Sequence, residues 1–325
     1  MAAVDGSNDP PIGWPDVEPS TDSERISGPV DGPSPTIVGA VRRGVLDAEL
    51  AGLLWVLADG GAPLIVAGPG SGPSAPADRP TRADLVEALL DLVPSARRRI
   101  VLDGVTEDFP WLSDVEGLGW VRSTAPAPEP ADPRTITLLA GELGAGPAAD
   151  LTGDRVRLVI RALGRRYGLL ATIEAAGLEE VLATLRRRPI SLTDDELSNL
   201  GVVVVLGAGS DGPAGRSGPR IVAAHYVRPL ARDVHGHPQR LPPAVLATWD
   251  ESTDRFEHFA WGVAGELAER VGRRAGDFEA EAERRAAVIA ALAAGVDDRS
   301  DRPALRAFLE HQRALGAAQP GTHRH

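Results

Sequence analysis

Five short apolar segments, separated by stretches that suit helices, constrain the fold of this chain more than any other feature. They show little alternation of apolar and polar residues, which is typical of strands buried on both faces. Helices between such strands indicate parallel crossovers. The segments are PLIVAG (63–68), RRIVLDG (98–104), RTITLLAGEL (134–143), GLLATIEA (168–175) and GVVVVLG (201–207). The pattern predicts an α/β core over 42–207, with a mostly parallel sheet covered by helices.

Three further regions flank this core. Residues 1–36 are rich in Pro, Ser, Asp and Gly without apolar periodicity, so we expect a disordered or loosely docked arm. Region 208–261 contains three strand-like runs and predicts an antiparallel β extension. Region 262–325 predicts helices and a tail, and its apolar stripe suits either packing on the chain's own sheet or assembly with another subunit.

Local signals refine this outline. Helix-compatible segments are 81–92, 153–166 and 177–187, and Thr193 with Glu196 fits a capping box. The tryptophans at positions 55, 111, 120, 249 and 261 lie in apolar contexts, which predicts that they pack in the core.

Composition excludes several function classes. The chain has no cysteine, so thiolate chemistry and disulfides are excluded. All 34 basic residues are arginine, so no lysine serves as a base or phosphate clamp. A net charge of -12 argues against nucleic acid as a partner. With no apolar stretch long enough for a bilayer and no secretory signal pattern, we expect a cytoplasmic protein without membrane insertion.

The segment VAGPGSGPS (66–74) follows the first apolar run and resembles a phosphate-binding loop. Such a loop needs a small residue, four free positions, Gly, Lys, and Ser or Thr. Pro73 stands at the lysine position, where it removes both the cation and a backbone N–H donor. The candidate nucleotide-binding positions of this loop are Gly68, Gly70, Ser71, Gly72 and Ser74.

A second register is also open. The following helix would normally begin directly after the lysine and hydroxyl pair, and sliding it back places Arg82 at the lysine position. Arginine binds phosphate well, but its planar fork does not simply replace a compact ammonium.

Four segments in order resemble the ATPases of type II and type IV secretion and pilus assembly, which have a RecA-like P-loop core and work as hexameric rings. The loop at 66–74 is the first. RIVLDGVTEDF (99–109) is similar to the family's acidic box, with Glu107 kept, Asp103 standing for a glutamate and Gly104 replacing an aspartate.

The third and fourth segments complete the resemblance over about 42–210. TITLLAGELGAGPAAD (135–150) is similar to the Walker B segment, which implies that Glu142 is the counterpart of the glutamate that polarises the attacking water. RRYGLLATIEAAGLEEVLATL (165–185) is similar to the histidine box, with Glu174 in place of the histidine.

The resemblance together with its losses favours a pseudo-ATPase. Phosphoryl transfer depends on positioning and on charge neutralisation around the γ-phosphate, and three of the four motifs lack a key polar group. We therefore expect weak or absent binding of ATP or ADP with Mg²⁺, and a role in binding a protein: another copy, an active paralogue or a secretion component. Catalytic candidates are Glu142 and Glu107. The alternatives are a slow but active ATP hydrolase of the same family, and an unrelated α/β scaffold with a glycine-proline surface loop.

Other residues carry weaker signals. Arg165 and Arg166 precede the histidine-box strand and are candidates for reaching phosphate, although arginines at helix ends commonly serve the helix carbonyls. His235 and His237 form an HGH turn, for which solvated side chains are the expectation, so we predict no resident metal.

Overall fold

The computed structural model describes residues 35–70, 81–121, 129–147, 149–207, 218–235, 237–295, 303–305 and 307–308. All of these ranges belong to one compact unit, Ser34–His325. Most of the expected N-terminal arm lies outside them. So do the loop positions Ser71, Gly72, Pro73 and Ser74.

An eight-stranded mixed sheet forms the centre of the molecule. Its order is β10-β9-β6-β5-β1-β4-β3-β2, and a separate two-stranded ribbon pairs β7 with β8. The strands are β1 (Leu64–Gly68), β2 (Arg98–Val101), β3 (Ile136–Leu143), β4 (Gly168–Glu174), β5 (Gly201–Gly207), β6 (Arg220–Val227), β7 (Ala231–Arg232), β8 (Pro238–Gln239), β9 (Ala244–Asp250) and β10 (Arg255–His258).

The sheet has a parallel half and an antiparallel half. Strands β5, β1, β4, β3 and β2 pair in parallel, and β6, β9 and β10 continue the same sheet with antiparallel pairing. Antiparallel neighbours need only short connections, whereas each parallel neighbour needs a crossover. The alternating apolar runs and helices before residue 207 therefore form the parallel half. The consecutive strands after it form the antiparallel half.

Eight helices surround the sheet in the described ranges, apart from short 3-10 turns and the helical residues 303–305 and 307–308. Local capping starts several of them: Asp47 caps α2, and Thr81 and Thr193 form capping boxes at α3 and α6. The helices are α1 (Ile37–Arg42), α2 (Ala48–Asp59), α3 (Arg82–Leu90), α4 (Asp154–Leu163), α5 (Leu178–Arg186), α6 (Asp194–Leu197), α7 (Ala264–Arg270) and α8 (Ala275–Ala294).

Two apolar clusters cover the two faces of the sheet. Alternate side chains of β1 divide between them, with Leu64 and Val66 in the first cluster and Ile65 and Ala67 in the second. Helices α1, α2, α3, α7 and α8 contribute to the first cluster, and α4, α5 and α6 to the second. The apolar stripe of the C-terminal region thus packs on the chain's own core.

The prediction that all five tryptophans pack in the core is wrong for Trp261. Trp55 is fully buried, but the Trp261 side chain is 76% exposed in a turn directly before α7. Two further elements were not predicted, namely the six-residue helix α1 and the β7–β8 ribbon. None of the helices within the described ranges combines the length and apolar character needed to cross a bilayer.

Neighbouring strands β1 and β4 send their following helices to opposite faces. Helix α3 follows β1 and packs in the first cluster, whereas α5 follows β4 and packs in the second. In open α/β sheets such a divergence leaves a crevice at the carboxyl ends of the two strands, and ligands bind there. This edge is therefore the place to look for a functional site.

Candidate functional site

The four motif segments meet at this carboxyl edge. Gly68 ends β1 and lies beside Glu174, which ends β4. Glu142, near the end of β3, lies beside Thr172 of β4. Residues 103–107 follow directly after β2, the next strand along. The parallel sheet thus brings together four segments that are far apart in sequence.

Arg82, the first residue of α3, spans the end of β1. Its Nη1 donates to the Gly68 carbonyl oxygen at 2.6 Å, and its Nη2 lies 3.1 Å from Glu142 Oε2. The Arg82 side chain is only 11% exposed. A partly buried guanidinium bound in this way is neutralised by the protein itself, so less of its charge is available to an added anion.

The N-terminus of α3 is also occupied from within the chain. Asp84 Oδ2 accepts hydrogen bonds from the Thr81 backbone N–H at 2.7 Å and from the Thr81 hydroxyl at 2.9 Å, and Thr81 Oγ1 accepts from the Asp84 N–H at 3.2 Å. The carboxylate of this capping box supplies the negative charge that a helix N-terminus favours. A phosphate approaching the same turn would meet that charge.

Glu142 is held by three groups. Its backbone N–H donates to Asp150 Oδ2 at 2.7 Å, while its Oε2 accepts from the Thr172 hydroxyl at 2.8 Å and pairs with Arg82. Its other carboxylate oxygen, Oε1, is buried and has no hydrogen-bond partner among the described residues. Buried carboxylate oxygens usually accept a hydrogen bond from the protein or from ordered water, so Oε1 is the acceptor of this site that the described side chains leave open.

A glycine lets Asp150 approach Glu142. A Cβ at Gly141 would lie 2.0 Å from Asp150 Oδ2, so a larger residue there would push the aspartate away. Sequence reasoning missed Asp150. Its signal was its position eight residues after Glu142, beyond a glycine-rich turn that folds it back against β3.

Glu174 adds a second carboxylate next to the glycine turn. A Cβ at Gly70 would lie 2.6 Å from Glu174 Oε1, which shows how close the carboxylate comes to that backbone. Around Gly68 and Gly70 the described side chains therefore supply two carboxylates, Glu142 and Glu174, and one guanidinium. This local balance disfavours a polyphosphate.

Glu107 binds its own loop. Its side chain is 2% exposed, and its carboxylate accepts from the backbone N–H groups of Asp103 at 2.8 Å and Phe109 at 2.7 Å, and from Trp111 Nε1 at 3.3 Å. These bonds fix the turn after β2. The geometry assigns Glu107 a part in shaping this edge.

Gly104 lies in the turn after β2. Its φ is +62°, a conformation that glycine adopts without strain. Asp103 turns its backbone N–H towards Glu107. A Cβ at Gly104 would lie 3.2 Å from the Asp150 carbonyl oxygen, so the turn favours glycine at this position.

Arg165 and Arg166 lie at the opposite edge of the sheet, directly before β4. Arg165 pairs with Asp114 at 2.8 Å, and Arg166 donates to the Arg270 carbonyl at 3.0 Å. Neither side chain reaches the end of β1, because residues before a parallel strand lie a full strand length from those after it. The contact of Arg166 with a helix carbonyl agrees with the alternative favoured for helix-end arginines.

Within the described residues, no three His, Asp or Glu side chains converge as a metal site. Neither a protein-family profile nor a curated protein sequence matches this chain. Inference about function consequently comes from the site's own geometry.

Proposed function

We propose that the chain is a pseudo-ATPase that resembles the secretion and pilus ATPases. In this proposal it keeps a RecA-like P-loop core, binds ATP or ADP with Mg²⁺ weakly at most, and acts mainly through protein binding and assembly in the cytoplasm.

Support for the ancestry comes from the carboxyl edge. Segments that resemble four nucleotide-handling motifs end on β1, β2, β3 and β4, and the β1–β4 crevice is a switch point of the sheet. Because any parallel sheet gathers the ends of its strands in this way, the support lies in the resemblance of all four segments and in their position at the switch point.

The observation that carries the loss of activity is the engagement of Arg82. Among the described residues it is the cation that contacts the end of β1, and the Gly68 carbonyl and Glu142 already hold it. Phosphoryl transfer relies on free positive charge around the γ-phosphate. Breaking the Arg82–Glu142 pair to bind a nucleotide would leave a partly buried carboxylate unpaired, which costs free energy.

Support for a binding role comes from a groove beside α2 and α8, which apolar side chains line together with acidic ones. Trp261 lines this groove with a side chain that is 76% exposed, and Phe259 nearby is 39% exposed. The groove has a volume of about 560 Å³, and Leu53, Ala282 and Ala286 contribute to its walls. Tryptophan is enriched among the residues that contribute most to binding free energy in protein interfaces.

A nucleotide titration tests the proposal. We expect no Mg²⁺-dependent turnover above background and a melting shift of about 1 °C or less at millimolar ATP. Ligand at a concentration equal to its Kd stabilises by RT ln 2, about 0.4 kcal/mol, and in a chain of this size about 1 kcal/mol moves the midpoint by a few degrees. Calorimetry with and without ATP and Mg²⁺ measures the shift.

Two variants make this test decisive. Pro73→Lys restores the missing cation, so a RecA-like loop should then bind ATP and give a larger shift, with the exposed Arg187→Ala as an unrelated control. A Pro73→Lys protein that melts identically with and without ATP would argue for the unrelated scaffold.

A slow hydrolase is the second candidate, and the unpartnered Oε1 of Glu142 favours it. If the wild-type protein turns over ATP and Glu142→Gln abolishes that turnover, Glu142 acts on the attacking water. Turnover that survives Glu142→Gln would show instead that the assigned site is wrong and that another group activates the water.

A further inference from the structure

A second cavity lies at the amino ends of the parallel strands, opposite the carboxyl ends where Arg82 and Glu142 lie. It has a volume of about 470 Å³ and lies where the chain enters β1, β2, β3 and β4. Five arginines from three strand entries and the end of α7 line it: Arg97, Arg134, Arg166, Arg270 and Arg273. This volume is within the range of small-molecule sites.

Arg97 is built into the wall. Its Nε donates to Thr137 Oγ1 at 3.0 Å and its Nη2 to the Ile136 carbonyl at 3.2 Å. Its guanidinium covers Gly61, which has φ +78° and at which a Cβ would lie 2.1 Å from Nη2. Glycine at position 61 thus leaves the space that the Arg97 guanidinium occupies, and any larger residue there would displace it.

Arg166 and Arg270 bind neutral acceptors. Arg166 donates to the Arg270 carbonyl, and Arg270 Nη2 donates to the Asn199 carbonyl at 2.9 Å. Burial lowers the pKa of Arg270, Tyr226 opposes this effect in part, and the positive charge of Arg166 adds to it. A guanidinium has five N–H donors, so carbonyl contacts of this kind leave donors and positive charge for another group.

The acidic residues of the cavity do not balance this charge. Asp59 pairs with Arg273 at 2.6 Å and also with Arg285 at 2.9 Å. Glu269 is the other carboxylate in the lining. The charge of Asp132 also acts on Arg97. Five arginines against three carboxylates still leave an excess of positive charge, in a chain whose net charge is -12.

We propose that this arginine cavity binds a phosphate-bearing small anion. Several guanidinium groups from separate elements suit a multivalent anion with many oxygens, whereas a single carboxylate offers only two. The anion could be free pyrophosphate or the phosphate tail of a nucleotide, which share this chemistry. The cavity is independent of Arg82 and Glu142, because it lies at the other end of the strands.

Calorimetric titration with inorganic pyrophosphate at low salt tests the proposal. The test variant is Arg134→Ala with Arg166→Ala, because both side chains are exposed and their loss leaves Arg97 in place on Gly61. We expect the wild-type protein to bind pyrophosphate and the double variant to bind it at least tenfold more weakly. Circular dichroism confirms that both are folded.

Arg165→Ala is the matched control, since Arg165 neighbours Arg166 but pairs with Asp114 outside the cavity. It should bind pyrophosphate as tightly as the wild type, and so should Arg82→Ala. The proposal is overturned if the wild type gives no binding heat at millimolar pyrophosphate, or if Arg165→Ala weakens binding as much as the double variant does.

A competition experiment identifies the source of the anion. ATP that displaces pyrophosphate from the wild type indicates a nucleotide tail, and ATP that leaves it bound indicates free phosphate compounds. Either result supports the cavity as the site. The same variants also show which site produces any melting shift with ATP, because Arg82 and the arginine cavity are altered separately.

Discussion

His258 is a titratable residue whose surroundings determine how stability depends on pH. Its Nε2 lies 2.8 Å from Asp47 Oδ2 and 3.7 Å from Glu49 Oε2. Burial lowers the pKa of His258. The hydrogen bond to Asp47 and the charges of Asp47 and Glu49 together raise it by more than burial lowers it, so the pKa lies above the ordinary value for histidine. The charged imidazole therefore ties β10 to the start of α2.

Replacing His258 by Asn should reduce stability most at acid pH. A histidine with a raised folded-state pKa stabilises fully below its unfolded pKa of about 6.5, and this contribution is lost as the pH rises through the folded pKa. We expect a difference in unfolding free energy of about 1 kcal/mol near pH 5.5, shrinking by pH 8.5. Urea unfolding at several pH values measures it.

The pH series needs two comparisons. His225, whose pKa burial lowers, is present in both proteins and cancels in the difference. His235→Asn, in an exposed turn, should give a difference close to zero at every pH. A His258→Asn difference that grew with pH would contradict the assigned ion pair.

At the level of elements, α2 and α8 pack with unusually close backbones. A Cβ at Gly52 of α2 would lie 2.6 Å from both the Ala282 carbonyl oxygen and the Ala286 nitrogen of α8. Beside this contact, Arg285 donates to the Trp55 carbonyl and lies over the Trp55 ring, 5.0 Å from its centroid. Small residues on both helices make the close approach possible.

Gly52→Ala should destabilise the protein by about 1–3 kcal/mol through overpacking, although alanine is the better helix former by about 1 kcal/mol. The measurement is the midpoint and slope of urea unfolding. Gly276→Ala in α8 is the matched control, because a Cβ there meets nothing within 4 Å. The control should be neutral or slightly more stable. Equal effects of the two substitutions would refute the packing explanation.

Elements with strong local signals were predictable from the sequence, and those formed by tertiary contacts were not. The Thr193 capping box and the buried run of β5 were visible as residue patterns. Helix α1 spans only six residues, and its one local signal was Thr36, which caps it. The apolar run of β2 predicts a strand buried on both faces. In the structure β2 is the outermost strand of the sheet, and Arg98 and Arg99 are exposed.

For the whole molecule, composition and alternation predicted the α/β class but not the positions of individual side chains. Each apolar run would fit any interior position of the sheet. The spatial order of the strands therefore does not follow from the residue pattern. Arg82 and Arg166 looked alike in sequence as phosphate candidates, and only the sheet separates them to opposite edges. The capture of Arg82 by Glu142 depends on the relative placement of α3 and β3, which no local pattern encodes.

Assembly is the prediction that belongs to the whole molecule. Trp261 offers an apolar contact on a chain with a net charge of -12, and Glu279 and Glu283 also line its groove. Salt screens the repulsion between such subunits but leaves apolar burial intact. We therefore expect self-association that strengthens at higher salt and weakens at least tenfold in Trp261→Ala, as measured by sedimentation velocity.

Val234→Ala is the control for that measurement. Val234 is 95% exposed in the turn between β7 and β8, and it is not among the groove residues. Its removal should leave association unchanged. Association that weakened with salt would instead indicate an interface of ion pairs and would count against Trp261 as its centre.

The contact between α2 and α8 also has a consequence for biosynthesis. Trp55 and Arg285 are 230 positions apart, and every strand of the sheet lies between them. At translation speeds of about 5–20 residues per second, the face of α2 that contacts α8 stays exposed for on the order of tens of seconds until α8 has been synthesised. During that interval the nascent chain presents a ready substrate for chaperones, and ribosome stalling before codon 275 would trap it in this unfinished state.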